Sequence, residues 1–174
     1  TLCALGVQPG DRVAHLGKNS AALLILLFAC ARMGCVLMPL NWRLSGKEWA
    51  WMLDDAAPRV LLTLHGYQTQ AAELGVPTYD LGALIARGSA DDRGPATGLG
   101  GDDLLLVYTS GSTGRPKGAL VRHDGALNHI YAEFRLLAFD AHGASLQSAP
   151  ASSDISVWQC LGPLLVGARV VFAD

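Results

Sequence analysis

The sequence predicts an α/β fold with a largely parallel sheet and flanking helices. Short apolar runs typical of buried strands alternate with segments that repeat apolar residues at helical spacing. The chain has 174 residues, of which 51% are hydrophobic and 16% charged, which is enough for one domain with a sizeable core. In such folds, ligands bind at the carboxyl ends of the strands.

A first β-α-β unit is predicted between residues 12 and 40. Arg12–Leu16 and Val36–Leu40 have the composition of buried strands. The apolar run Ala21–Ala31 between them predicts a fully buried helix that ends at Gly34. This run is shorter than the roughly 18 residues that a membrane span needs, so no span is predicted.

The next elements follow the same alternation. Ser45 and Glu48 form a capping-box pattern at the start of a helix that ends before Pro58. Its predicted core-facing residues are Trp49, Met52, Leu53 and Ala56. Val60–Thr63 predicts a third strand, and weaker helix and strand signals continue to a short helix ending near Ala86.

Residues 87–103 are rich in Gly, Asp, Ser and Pro and have no periodicity, which predicts a flexible surface linker. Further along, an amphipathic helix is predicted from Leu127, Ile130, Tyr131, Phe134, Leu137 and Ala138. The last predicted elements are a strand at Ser145–Ala149, a helix at Ile155–Val166 with a possible kink at Pro163, and a strand at Arg169–Ala173.

The stretch Tyr108–Gly118, YTSGSTGRPKG, holds five hydroxyl-bearing residues, three glycines and one lysine. Apolar runs on both sides predict a loop held between two buried strands. Glycines let backbone N–H groups surround an anion, while the hydroxyls and Lys117 supply donors and a positive charge. Phosphate binding is the favoured interpretation, and an ordinary Gly/Ser/Pro turn is the alternative. The spacing differs from that of the Walker-type loop.

The order T-S-G-S-T-G-x-P-K-G resembles the phosphate-binding signature of the adenylate-forming (AMP-binding) enzymes. These include acyl- and aryl-CoA ligases and the adenylation domains of nonribosomal peptide synthetases. Members form an acyl adenylate and pyrophosphate from a carboxylate and ATP, with Mg²⁺, and then usually pass the acyl group to a thiol. The resemblance implies that the ATP phosphates are held by Thr109, Ser110, Gly111, Ser112, Thr113, Gly114 and Lys117.

A second stretch, Ser153–Gln159, lies between a predicted strand and a predicted helix. Asp and Ser here are typical of a helix N-cap. The stretch also resembles the F-D-x-S segment of peptide-synthetase adenylation domains, which implies that Asp154 binds the α-ammonium group of an amino acid. Ser153 replaces the usual phenylalanine. In contrast, Pro39–Leu44 (PLNWRL) resembles acyl- and aryl-CoA ligases.

The resemblance implies part of an amino-acid-activating domain, with a carrier-protein phosphopantetheine thiol as acceptor. The alternatives are an acyl- or aryl-CoA ligase, with CoA as acceptor, and a non-catalytic nucleotide-binding fragment. The family's later adenine-binding and ribose-binding segments and its C-terminal catalytic lysine have no counterpart here. We therefore assign residues 1–174 to a partial domain, name no catalytic residue, and expect the chain alone not to complete adenylation.

Composition limits the kinds of partner that this chain is expected to bind. The net charge is −2 and basic residues are scattered, so neither nucleic acid nor an anionic membrane is favoured. The four cysteines, at positions 3, 30, 35 and 160, form no C-x-x-C pair, and no histidines cluster, so no metal site or disulfide framework is predicted. We expect the cysteines to be buried small residues in a cytoplasmic protein.

Overall fold

The computed structural model describes residues 2–64, 66–88, 96–109, 115–134 and 140–173. After a short 3-10 helix at Cys3–Leu5, strands and helices alternate along these ranges except between residues 103 and 122, where one strand follows another. The strands are β1 Arg12–Leu16, β2 Val36–Leu40, β3 Val60–Thr63, β4 Thr78–Asp80, β5 Asp103–Thr109, β6 Lys117–Arg122, β7 Ala144–Gln147 and β8 Arg169–Phe172. The helices are α1 Ala21–Met33, α2 Gly46–Ala56, α3 Gln68–Ala72, α4 Leu81–Arg87, α5 His123–Phe134 and α6 Asp154–Leu165.

The main sheet has six strands in the order β4-β3-β1-β2-β5-β6. Every neighbouring pair is parallel except β5 and β6, which are antiparallel. This confirms the predicted α/β class and largely parallel sheet. A second, two-stranded parallel sheet joins β7 to β8, and α6 connects them.

The core lies in two layers, one on each face of the main sheet. Successive strand residues point to opposite faces, so Val13 of β1 packs in the layer with α1 while Ala14 packs in the layer with α2. All of β2 and β3 is buried, as expected for parallel strands covered on both faces. The predicted capping box of α2 is present, with both Ser45–Glu48 hydrogen bonds formed.

Three predicted burials are wrong. Helix α1 is not fully buried, because only one side of it faces the sheet and Ile25 and Phe28 on the other side are half exposed. Strand β6 is largely exposed, because it is the edge strand and has a neighbour on one side only. Cys3, in the short N-terminal helix, is exposed, whereas the other three cysteines are buried, and all four are free.

Helix α5 also departs from the prediction. Ala126 and Ile130 are buried, but Leu127 and Tyr131 are 43% and 59% exposed. The predicted apolar stripe is therefore wider than the face that packs. Leu137 and Ala138 lie outside the described residues. Within the described ranges, no helix combines the length and the apolar character needed to cross a membrane.

The described end of the 87–103 region, residues 96–102, is hydrogen-bonded to the C-terminal turn of α1. The amides of Thr97 and Gly98 both donate to the carbonyl oxygen of Arg32, at 2.9 and 3.1 Å. The Thr97 hydroxyl donates to the carbonyl oxygen of Met33 at 2.7 Å. These bonds satisfy carbonyls that a helix end leaves without partners, so the segment closes α1.

Candidate functional site

The carboxyl edge of the main sheet gathers the segments singled out in the sequence. Strand β5 ends at Thr109, where the phosphate-loop motif continues, and β2 ends at Leu40, where PLNWRL continues. Since β1, β2 and β5 are consecutive and parallel, these segments emerge at one edge. That is the edge at which parallel α/β sheets bind ligands.

The two ends of the predicted phosphate loop face each other. Thr109 and Lys117 are opposite partners in the antiparallel pairing of β5 with β6, and both are exposed. Directly opposite residues have Cβ atoms about 5 Å apart and project on the same face. The side chains of Thr109 and Lys117 therefore leave the strand pair on the same face. Ser110, Gly111, Ser112, Thr113 and Gly114 lie outside the described residues.

Tyr108 anchors the strand end from which the loop starts. Its hydroxyl donates to the Asp55 carboxylate at 2.6 Å, and its ring meets Trp51 edge-on at 5.9 Å between centroids. Burial, and then the hydrogen bond to Asp55, raise the pKa of Tyr108 above its usual range. The β6 residue opposite it is Gly118, where an added Cβ would lie 3.4 Å from the tyrosine ring and 2.9 Å from Leu106. The last glycine of the motif therefore makes room for this anchor.

We expect Tyr108→Phe to lower the free energy of unfolding by about 1 kcal/mol, because it removes the bond to Asp55 and keeps the ring contacts. Asp55→Ala should cost about the same, and combining the two changes should add little, since both remove one interaction. Urea denaturation of both single variants and the double variant measures this. Asp54→Ala, at the adjacent exposed position, is the matched control. Fully additive costs would show that the two residues act separately.

Asp154 is the first residue of α6 and follows Ser153, which occupies the N-cap position. Its backbone is held close to the main sheet through the preceding loop, whose Ala149 and Ala151 contact Asn19, just after β1. Strands β1 and β5 are two strand spacings apart, which is about 10 Å. The start of α6 and the end of β5 at Thr109 therefore lie at the same edge.

The structure adds a group that sequence reasoning missed. Trp42, just after β2, is in contact with two cations: the Lys18 ammonium is 5.6 Å and the Arg43 guanidinium 5.0 Å from its ring centroid. Both distances are within the range of a cation–π contact. A cleft of about 1010 Å³ opens beside Lys18, between the ends of β1, β3 and β4. The available signal was position, since Lys18 and Trp42 each follow a predicted strand.

Comparisons with known proteins agree with this architecture. The family described as AMP-binding enzyme matches residues 1–174. A feruloyl-CoA synthase from an Amycolatopsis species is 46% identical over 129 residues, covering 70% of this chain and 25% of that protein. Vanchrobactin synthetase VabF from Vibrio anguillarum is 32% identical over 169 residues, covering 97% of this chain and 6% of that protein. O-succinylbenzoate coenzyme A synthetase (MenE) from Bacillus subtilis, in complex with AMP, superposes with a TM-score of 0.87 at 26% identity, covering 98% of this chain and 45% of that one.

The chain belongs to the AMP-binding enzyme family, which confirms the resemblance drawn from YTSGSTGRPKG. It spans a quarter or less of the two sequence relatives named above. One of these relatives is a feruloyl-CoA synthase and the other a vanchrobactin synthetase, so the chain is similar to more than one kind of enzyme in the family.

Proposed function

We propose that the full-length protein containing this chain activates a carboxylic acid with ATP, forming an acyl adenylate and pyrophosphate. The observation that carries the proposal is the pairing of Thr109 with Lys117 at the carboxyl edge, in a chain of the AMP-binding enzyme family. A loop whose two ends present a hydroxyl donor and a fixed positive charge suits a polyphosphate. The glycines of the motif suit close approach of the backbone to phosphate oxygens.

In the proposed reaction, a carboxylate oxygen of the substrate attacks the α-phosphorus of ATP. The bond from that phosphorus to the bridging β-phosphate oxygen breaks, and pyrophosphate leaves with the electron pair. Lys117 and the donors of the loop would stabilise the negative charge that develops on the phosphates. Family members use Mg²⁺, but no cluster of three or more His, Cys, Asp or Glu side chains suited to a metal occurs among the described residues, so we assign the ion no ligand in this chain.

For the substrate, we propose an amino acid whose α-ammonium group is bound by Asp154. The support is the D-I-S-V-W-Q segment and the position of Asp154 at the start of α6. A carboxylate there would favour a cationic substrate over a plain acid through a charge-assisted hydrogen bond. The acyl group would then pass to the phosphopantetheine thiol of a carrier domain. The four free cysteines are consistent with a reducing compartment, and we place the reaction in the cytoplasm.

A second candidate is an acyl- or aryl-CoA ligase, which shares the first half-reaction but passes the acyl group to CoA. It is favoured by the 46% identity to a feruloyl-CoA synthase and by the PLNWRL segment after β2. In this case Asp154 would serve only as the first residue of α6, where a carboxylate stabilises the helix N-terminus.

The test is ATP–pyrophosphate exchange on the full-length protein, with one panel of amino acids and another of plain carboxylic acids. If Asp154 binds the amine, we expect exchange with one amino acid, and Asp154→Ala should lower kcat/KM for it about 100-fold, as loss of a charge-assisted bond predicts. Asp154→Asn keeps the size and removes the charge. Asp124→Ala, at an exposed position on α5, is the control.

Exchange with plain acids only, unaffected by Asp154→Ala, would contradict amine binding and support the CoA-ligase candidate. Thioester formation with CoA or with a carrier domain would then identify the acceptor. An absence of exchange with every acid, in a protein that still binds ATP, would contradict both candidates and leave a nucleotide-binding role.

A further inference from the structure

Asn19 joins the main sheet to the loop that leads into α6. It lies two residues after Gly17 at the carboxyl end of β1, immediately before the α1 N-cap Ser20. Its side-chain Nδ2 donates to the carbonyl oxygen of Ala149 at 2.9 Å, and its Oδ1 accepts from the amide of Ala151 at 3.0 Å. The two bonds connect positions 130 and 132 residues apart, and they use both ends of one amide group.

The same loop is held from the other side by α6. Oε1 of Gln159 accepts from the amides of Ser148 and Ala149, at 3.2 and 3.0 Å. The Ser156 hydroxyl, which is buried, donates to the carbonyl oxygen of Ser153 at 2.7 Å and lies 3.2 Å from that of Ala151. Residues 148–151 are therefore fixed to the main sheet by Asn19 and to α6 by Gln159, while Ser156 closes the turn at Ser153. Asp154 starts α6 three residues beyond the end of this loop at Ala151.

We propose that Asn19 is a positioning residue for substrate binding, which acts by fixing the start of α6 at the carboxyl edge of the main sheet. The inference rests on the proposed function, in which residues at that start contact the substrate acid. Asn19 itself need not touch the substrate. Its two hydrogen bonds set where the 148–151 loop sits relative to β1, and so how far the start of α6 lies from the phosphate loop after β5.

The two hydrogen bonds that position 19 makes with the loop require a side-chain amide. One bond needs a donor and the other an acceptor on the same short side chain, and among side chains of this length asparagine supplies both. Asn19→Leu keeps a similar size and removes both bonds. Asn19→Asp retains an acceptor for the Ala151 amide but places an oxygen against the Ala149 carbonyl, where a donor is needed.

The experiment measures exchange kinetics of the full-length protein with its preferred acid. We expect Asn19→Leu to raise KM for the acid about tenfold and to change KM for ATP less than about twofold, since the loop after β5 is untouched. Asn19→Asp, which keeps the Ala151 partner but sets a carboxylate oxygen against the Ala149 carbonyl, should raise KM for the acid at least as much as Asn19→Leu. Asn128→Leu, at an exposed position on α5, is the matched control and should leave both values unchanged.

A second readout is independent of activity. In hydrogen–deuterium exchange, the amides of residues 148, 149 and 151–153 should exchange faster in Asn19→Leu than in the unmodified protein, while β1 and β2 keep their protection. Unchanged exchange at these residues would contradict the claim that Asn19 holds the 148–151 loop. Equal increases in KM for acid and ATP, with loss of protection throughout the sheet, would overturn positioning and indicate a general stabilising role.

The two readouts also separate this inference from the proposed function. If the unmodified protein activates no acid, the proposed function fails and the positioning role fails with it. Faster exchange in this loop would then show that the assigned reaction is wrong, while Asn19 does hold the 148–151 loop. An acid-activating protein whose KM is unaffected by Asn19→Leu would overturn the positioning role alone.

Discussion

Gly98→Ala is expected to lower the free energy of unfolding by about 3 kcal/mol, at the upper end of the cost of overpacking. A Cβ at this position would lie 2.0 Å from the carbonyl oxygen of Ala31 and 3.2 Å from the amide nitrogen of Gly34. Both are backbone atoms at the end of α1, so no side chain can move aside. The segment must shift and give up the hydrogen bonds by which it closes the helix.

Gly100→Ala is the matched control, because the space around a Cβ at position 100 is empty to 4 Å. Replacing glycine by alanine there reduces only the freedom of the unfolded chain, so its stability should change by less than about 1 kcal/mol. Urea denaturation of the two variants beside the unmodified protein measures the difference. Equal stability of the two variants would contradict the close approach of residue 98 to α1.

The second large effect is a loss of stability on acidification, caused by His15. This residue of β1 is fully buried between Pro39 and Leu62, its partners on the neighbouring strands. Neither ring nitrogen has a hydrogen-bond partner among the described residues. Burial lowers the pKa of His15 from 6.5 to about 4. The folded protein therefore holds a neutral imidazole at pH values where the unfolded chain binds a proton.

The direction in which the free energy of unfolding changes with pH follows from proton linkage. Between pH 6.5 and pH 4 the unfolded state binds more protons at this site, so the free energy of unfolding falls as the pH falls. The contribution is negligible at pH 7.5, about 2 kcal/mol at pH 5 and about 3 kcal/mol at pH 4. His15→Leu should remove it and should be more stabilising at pH 5 than at pH 7.5.

Denaturation curves at several pH values test this, with His129→Leu, on the exposed side of α5, as the control for loss of a histidine. The two variants should share the pH dependence that comes from other groups and differ by the His15 contribution. Parallel curves for His15→Leu and the unmodified protein would contradict a low pKa at His15.

The central part of the fold follows closely from local sequence. Strands β1, β2 and β3 begin and end at their predicted residues, since each is a short, mostly apolar run that lies next to turn residues. The capping box at Ser45 and the glycine after α1 fixed two helix boundaries in the same way. These signals are local, so they can be recognised in the sequence without knowing which strands pair.

Exposure was less predictable because it depends on neighbours. The sequences of α1 and β6 are apolar enough to be buried, yet Phe28 faces outward and β6 has one neighbour. The split into two sheets was also missed, since β7 has the same composition whether it extends the main sheet or pairs with β8. Pairing is a long-range property.

In the candidate site, too, the local features could be predicted from the sequence and the long-range contacts could not. The motif indicated Thr109 and Lys117, and their direct pairing across a hairpin follows once β6 is antiparallel. The contacts of Tyr108 with Asp55 and of Asn19 with Ala149 join residues 53 and 130 positions apart. No periodicity or spacing in the sequence encodes such distances. The roles proposed for Asp154 and for the loop residues 110–114 rest on the motif and await the kinetic test.

The strand order also has a consequence for synthesis on the ribosome. Strands β1 to β4 are four neighbouring strands of the six in the main sheet, and they are complete by Asp80. The outer edge of β2 must wait for β5, whose pairing residue Leu105 is 65 positions beyond the end of β2 at Leu40. At typical translation rates this delay is roughly 3 to 13 seconds. During that interval a fully apolar strand has an open edge in the nascent chain, which is exposed to wrong pairing until β5 arrives to cover it.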